Sequence, residues 1–166
     1  MQTSIQSLTN LSHLGAVAAD GLSGDGCGLL FKTPDAFFRK QARNNNITLN
    51  KTYAVGLIFL NIDPEMRQHS EKVLKNHLAD QGLTLTWLRD VPINTEFLGK
   101  QAQQTLPCIK QVFVNADDAM PVDEFDRKLF MARSFARKEL ETTDPSYYIS
   151  TLSPYVTSYK ANDTEV

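Results

Sequence analysis

The sequence predicts one mixed domain in which helices cover a β-sheet. Three observations carry that expectation. Residues 53–60 form an apolar run rich in aromatic and β-branched side chains. Helix-start signals recur at Asp63-Pro64 and at Pro121, and residues 83–88 alternate with a period of two. Strand and helix signals therefore alternate along the chain, a pattern that suggests a parallel sheet. Helices on an antiparallel sheet fit nearly as well, because several connections are short, and periodicity does not choose between the two.

Taken in order, Ile5, Leu8 and Leu11 lie on one face of a helix over residues 4–13. Gly15 and the glycines of residues 21–28 break it. Gly28-Leu29-Leu30-Phe31 reads as a short buried strand. Thr33 is the expected N-cap of a second helix, with Pro34 at its first position and Phe37, Phe38 and Ala42 facing inward. Residues 53–60 are the best strand in the chain. Asp63 caps a helix to about Asp80 that buries Met66, Val73, Leu74 and Leu78, and Gly82 stops it. Leu83, Leu85 and Trp87 alternate with Thr84, Thr86 and Leu88 as a strand. A short helix over residues 96–103 and a strand over residues 109–114 follow. Pro121 opens the longest helix, to about Leu140, with Val122, Phe125, Leu129, Phe130 and Ala132 towards the core. Residues 147–152 and 155–159 read as closing strands, and residues 160–166 as a polar tail.

Composition narrows the class. The chain has 166 residues, 42% hydrophobic and 22% charged, with a net charge of −2. That suits a globular domain with a real core. The absence of a basic stripe argues against nucleic acid and anionic membrane as partners. The longest apolar stretch, residues 54–60, is far short of the roughly 20 residues of a membrane span. The amino end lacks the pattern of a signal peptide, so the expected compartment is the cytoplasm. The two cysteines, Cys27 and Cys108, form neither a disulfide framework nor a zinc pattern.

The most unusual stretch is residues 13–28, where five of sixteen residues are glycine, against an average usage of about 7%. Such a loop, between a helix and a strand, either lines a site or simply turns. It is no phosphate loop, because no Gly-Lys-Ser or Gly-Lys-Thr follows. Asp20 and Asp25 read as loop aspartates bonding nearby amides rather than an acid–base pair. Cys27 and Cys108 read as packed small hydrophobes. Arg89-Asp90 reads as a local ion pair or a turn, and His69 and His77 are too far apart on a helix to chelate together.

Read in order, the motifs resemble the glutamine amidotransferase domain of glutamate synthase large chains. The resemblance rests on His13, Gly15, Ala16, Ala19-Asp20 and Gly24-Asp25-Gly26-Cys27-Gly28-Leu29-Leu30. It continues through Pro34-Asp35, Phe37-Phe38-Arg39, Tyr53-Ala54-Val55-Gly56, Phe59-Leu60-Asn61 and Asp63-Pro64-Glu65. Trp87, Arg89-Asp90-Val91-Pro92, Leu98-Gly99 and Phe113-Val114-Asn115-Ala116 follow, and then Arg127, Leu129-Phe130, Ala132-Arg133, Leu152-Ser153 and Tyr159-Lys160. The resemblance implies an α+β fold of the N-terminal-nucleophile amidohydrolase type, an αββα sandwich of mainly antiparallel sheets. That replaces the parallel sheet. It also implies a partial domain over residues 1–160.

The family's activity is hydrolysis of glutamine to glutamate and ammonia. The parent enzymes pass ammonia to a distant site that uses 2-oxoglutarate, FMN and an iron–sulfur cluster, and this chain is expected to hold none of those cofactors and no metal. The family's nucleophile is an amino-terminal cysteine, upstream of the first helix, whose own amine serves as base. Met1 stands within or just before that helix, so the nucleophile is expected to be absent. Leu14 occupies the position of the arginine in the family's His-Arg-Gly motif, and leucine supplies no guanidinium. The oxyanion-hole asparagine and glycine, worth about 3 kcal/mol or more, are expected beyond the end of this chain.

No catalytic residue is therefore expected. His13, Leu14, Gly15, Asp20, Gly24, Asp25, Gly26 and Cys27 are expected to shape or line the site. The expected function is that of a glutaminase-domain fragment, inactive alone. The alternative is a non-catalytic module docking onto glutamate synthase or another partner. The expected partners are glutamine, the remaining glutamate synthase domains or a second copy.

Overall fold

The computed structural model describes residues 3, 6, 7, 10, 26–96 and 98–162. Six strands and four helices are described: β1 (Gly26–Lys32), α1 (Asp35–Asn44), β2 (Tyr53–Leu60), α2 (Pro64–Asp80), β3 (Thr84–Asp90), α3 (Lys100–Gln104), β4 (Cys108–Asn115), α4 (Val122–Leu140), β5 (Tyr148–Ser153) and β6 (Val156–Asn162). Thr3, Gln6, Ser7 and Asn10 are helical and exposed, as the polar face of the predicted first helix requires.

The chain divides into two units. One comprises Phe31–Val91 and Pro107–Thr157; the other comprises Met1–Leu30, Pro92–Leu106 and Ser158–Val166. The first unit contains a four-stranded sheet in the order β3-β4-β2-β5, with β2 antiparallel to both neighbours and β3 antiparallel to β4. The alternation of strands and helices thus belongs to an antiparallel sheet, as the family resemblance implies. Strands β1 and β6 pair with each other in a separate two-stranded sheet.

The two faces of the four-stranded sheet carry different layers. Ala54, Ile58 and Leu60 of β2 and Val112 and Val114 of β4 pack with Val73, Leu74 and Leu78 of α2 and with Phe125, Leu129, Ala132, Ala136 and Leu140 of α4. On the opposite face, Tyr53 and Val55 of β2 and Phe113 of β4 meet Phe38 and Ala42 of α1. Strand β2 is buried on both faces, which explains its unbroken apolar run.

Helix α2 has a local cause at both ends, and α1 at its carboxyl end. The Asp63 side chain accepts the Glu65 and Met66 amides, and Pro64 stands at the first helical position of α2. Gly82 ends that helix with φ of +70°: its amide bonds Ala79 and the Leu83 amide bonds Leu78. Helix α1 ends in the same way, with Asn46 at φ of 58° and the Ile47 amide returning to Ala42. No helix among the described residues is long and apolar enough to cross a membrane.

Several expectations need correction. Thr33 does not cap α1: Pro34 precedes the first helical residue, no side-chain cap bond forms, and the Thr33 hydroxyl has no partner among the described residues. Phe37, Val122 and Phe130 are exposed rather than inward, at 46%, 36% and 53%. Each lies beside the buried stripe of its helix rather than on it. Leu30 of β1 is likewise exposed and Leu29 half-buried, so β1 is not a buried strand. Met66 is only half-buried. The short helix begins at Lys100, not Glu96. Residues 160–162, expected in a polar tail, finish β6, and residues 163–166 lie outside the described residues.

The strand at residues 83–88 also departs from simple alternation. Leu85 pairs with Val114 and Trp87 with Phe113, so Thr86 is an extra residue in β3. The bulge puts Leu85 and Leu88 on the α2–α4 face and Trp87 on the α1 face. There Trp87 stacks on Phe113 with ring centres 4.9 Å apart.

Candidate functional site

Of the residues expected to shape the site, His13, Leu14, Gly15, Asp20, Gly24 and Asp25 lie outside the described residues. Gly26 and Cys27 belong to the opening of β1 rather than to a loop. The described motif positions can be followed side chain by side chain.

Asp35 and Arg39 of the Pro-Asp-x-Phe-Phe-Arg segment lie one helical turn apart on α1. The Arg39 Nε donates to both Asp35 carboxylate oxygens at 2.8 and 3.0 Å. Its two terminal nitrogens donate to the carbonyls of Leu49, Asn50 and Lys51. The guanidinium also lies over the Tyr53 ring, whose hydroxyl donates to Asp35 at 2.9 Å. Burial and that hydrogen bond hold the Tyr53 phenol well above its ordinary pKa, so it stays protonated. This arginine is fully engaged in holding a loop.

The neighbouring asparagine motif fastens the same loop to β4. The Asn50 amide donates to Asn115 Oδ1 at 3.0 Å, the Asn115 amide group donates to the Thr48 carbonyl, and the Asn50 side chain donates to the Ala116 carbonyl at 2.8 Å. Gly56 lets β5 approach β2: a Cβ there would stand 2.5 Å from the Thr151 carbonyl oxygen.

A buried carboxylate missed by the sequence reading organises the turn between α4 and β5. Asp144 is 1% exposed. It accepts from Ser70 Oγ of α2 at 2.7 Å, from Ser146 Oγ, and from Asn61 Nδ2 at 3.3 Å. Burial pushes its pKa up, but the bonds from Ser146, Ser70 and Asn61 outweigh that and hold it below the ordinary aspartate range. The Asp-Pro-Ser run at residues 144–146 marks a turn in the sequence, but Ser70 lies 74 positions away and carries no local signal.

The remaining titratable candidates are structural in geometry. Cys108 is a free, half-buried residue at the start of β4, packed against the larger core cluster. Arg89 and Asp90 form no local pair. Arg89 donates to Gln111 at 2.7 Å, and Asp90 lies 3.7 Å from Lys110, which is itself 2.9 Å from Glu71 of α2. His77 joins α2 to α4 through Glu139 at 2.7 Å, and His69 is exposed. Among the described residues, no group of His, Cys, Asp and Glu side chains is arranged to hold a metal ion. A cleft of about 300 Å³, lined by Lys32, Thr33, Lys51, Val122, Pro154 and Tyr155 among others, opens beside the start of α4.

The described side chains thus build a scaffold, with an antiparallel sheet, two long helices on one face and a tied loop on the other. The family model for class-II glutamine amidotransferases matches residues 1–165, and this chain belongs to that family. Among curated proteins, the chain is 33% identical over 157 residues to the glutamate synthase [NADPH] large chain of Bacillus subtilis (strain 168), covering 94% of this chain and 10% of that one. It is 32% identical over 154 residues to ferredoxin-dependent glutamate synthase 1 of Arabidopsis thaliana, covering 90% of this chain and 10% of that one. It is 29% identical over 164 residues to the glutamate synthase [NADPH] large chain of Azospirillum brasilense, covering 96% and 11%. The chain therefore spans about a tenth of the length of these relatives.

Proposed function

We propose that residues 1–160 are part of the glutaminase domain of a cytoplasmic glutamate synthase, an enzyme making L-glutamate from glutamine and 2-oxoglutarate, and that this chain alone does not hydrolyse glutamine. The observation that carries the family part is the match over residues 1–165. Leu14 supports the inactivity: it replaces an arginine with a side chain that donates no hydrogen bond to a carboxylate or an amide. In this reading residues 13–28 line the site and supply no nucleophile. FMN and the iron–sulfur cluster belong to the other domains of the parent enzyme. Two cysteines cannot furnish the four thiolates of an ordinary cluster, so no step is assigned to one here.

The test is glutamine hydrolysis by the purified chain, followed as glutamate and ammonia released. The expected result is no release above the blank, for the chain and for Leu14→Arg alike. Turnover that disappears on thiol alkylation refutes the inactivity, and a gain in turnover by Leu14→Arg refutes the absence of a nucleophile.

A second reading is a non-catalytic module that docks onto the remaining domains of glutamate synthase. Phe130, Met131 and Phe135, exposed at 53%, 37% and 42% on α4, favour it. Co-purification with a glutamate synthase large chain, lost on Phe130→Ser, supports docking; independent migration of the two refutes it.

A further inference from the structure

We propose that the exposed face of α4 pairs with the same face of a second copy of this chain, the two helices running antiparallel. Residues seven apart on a helix stand close to two turns apart and so lie on one line along its surface. On α4 two adjacent lines have the same order: Asp123, Phe130 and Arg137 on one, Glu124, Met131 and Lys138 on the other. Each line runs acidic, apolar, basic. Asp123, Phe130, Met131, Arg137 and Lys138 are exposed, and the Glu124 side chain is 39% exposed.

Such a line is complementary to itself when reversed. A second α4 crossing antiparallel at Phe130 and Met131 sets the acidic pair of each copy beside the basic pair of the other. The apolar side chains of both copies then meet at the centre. A parallel arrangement sets like charges together instead. The contact is isologous, the form that closes a dimer rather than extending into a chain.

The other charges of α4 are compatible with that arrangement. Arg137 and Lys138 enter no ion pair among the described residues. Asp123 accepts from the Tyr155 hydroxyl, and Glu124 lies 2.9 Å from Lys128, but a carboxylate accepts several donors at once. Asp126 is turned to Ser153 and Glu139 to His77 of α2, so both stand on the flanks. Arg133 lies over the Phe130 ring of its own chain. Arg127, four residues before Met131, falls opposite Phe135 of the other copy, four residues after it, and a guanidinium over an aromatic ring is favourable. The helix dipole accounts for acidic residues in a first turn and basic ones in a last turn. It does not account for exposed Phe130 and Met131 on the lines between them.

The expected dimer is weak. A helix of 19 residues is about 28 Å long. One helix from each copy makes less than the standard interface of about 1,600 Å², which sets the expected dissociation constant on the order of 100 µM.

The test is sedimentation equilibrium of the full chain at pH 7 in low salt, from about 10 µM to about 1 mM. The expected mass is near 18.6 kDa at the low end and rises towards twice that value at the high end. Glu124→Lys and Lys138→Glu should each weaken association about 5–30-fold, because symmetry turns two attractive pairs into two repulsive ones. The double variant, with the signs exchanged, should return to within about 3-fold of wild type. Neither position is buried, so the variants should keep the fold, which Trp87 fluorescence checks. A chain still monomeric at about 1 mM leaves this face to another partner. Association indifferent to the single variants puts the contact elsewhere, as on an open sheet edge. A double variant that stays weak denies the antiparallel register. Each of these three results overturns the proposal. The proposal does not rest on the glutaminase reading, and none of its outcomes bears on glutamine hydrolysis.

Discussion

Removing the Asp144 carboxylate tests whether a buried hydrogen-bond cluster ties α2 to the turn after α4. In Asp144→Ala, Ser70, a residue with no exposed surface, loses its acceptor, and Ser146 and Asn61 lose theirs. A hydrogen bond to a charged group contributes about 1.5–3 kcal/mol, and a buried donor left unpaired costs about 1–3 kcal/mol. Ser146 is exposed and water replaces much of its bond, while the 3.3 Å contact to Asn61 is weak. The Ser70 bond therefore dominates, and the expected loss is about 3 kcal/mol, a large part of a typical domain stability of about 5–15 kcal/mol. Ser70→Ala should cost about 1.5 kcal/mol, and the double variant should fall short of the sum by about 1 kcal/mol because the two side chains share one bond. Urea unfolding at pH 7, followed by the single tryptophan, Trp87, measures all three. The pH dependence has a fixed sign. A folded-state pKa below the unfolded value of about 3.9 means that the stabilisation is complete above about pH 5 and is lost as pH falls through the folded pKa. The gap between wild type and Asp144→Asn should therefore narrow with acidification below about pH 4. An Asp144→Ala variant within about 0.5 kcal/mol of wild type, or strictly additive single variants, would refute the reasoning.

Two further substitutions probe the scaffold. Gly56→Ala should destabilise by about 2 kcal/mol or more, read as a lowered thermal midpoint, because the new Cβ would meet the Thr151 carbonyl oxygen at 2.5 Å and Leu152 at 3.0 Å, and paired backbone has little room to move. Arg39→Lys should cost about 1–2 kcal/mol and speed hydrogen exchange at the Asn50 amide, since one ammonium cannot reproduce a fork reaching Asp35 and three carbonyls. Unchanged exchange in that variant would show that Asn115 holds the loop without help.

The parts of the fold legible in the sequence are those set by near neighbours along the chain. Residues 53–60 read as a strand to the residue, because a strand buried on both faces needs no alternation. Asp63-Pro64 and Gly82 bound α2 through bonds reaching no further than five residues. What escaped the reading depends on partners far along the chain. Whether β2 runs parallel or antiparallel to β4 is decided between residues such as Val55 and Phe113, which carry no local mark of direction. Thr86 looks like an ordinary member of an alternating strand, yet it is the extra residue that turns Trp87 to the other face. Phe37 and Phe130 adjoin the buried Phe38 and Leu129, and an apolar pair in a helix does not announce which member faces inward.

The candidate site divides along the same line, and the division bears on function. In the described residues the family motifs have structural work: Asp35 and Arg39 hold a loop, Asn115 secures it, Gly56 admits a strand, and Asp63 caps a helix. A match on those motifs identifies the fold that presents a glutaminase site; it does not identify the groups that break an amide bond. Asn61, which looked like one more motif letter, reaches Asp144, 83 positions later, and so joins the cluster that locks α2 to the turn after α4. Two proteins can share every one of these contacts and differ in activity. The catalytic question therefore rests on positions other than these motifs, and within this chain on residues 13–28, where the resemblance would set a site-shaping arginine at the position of Leu14.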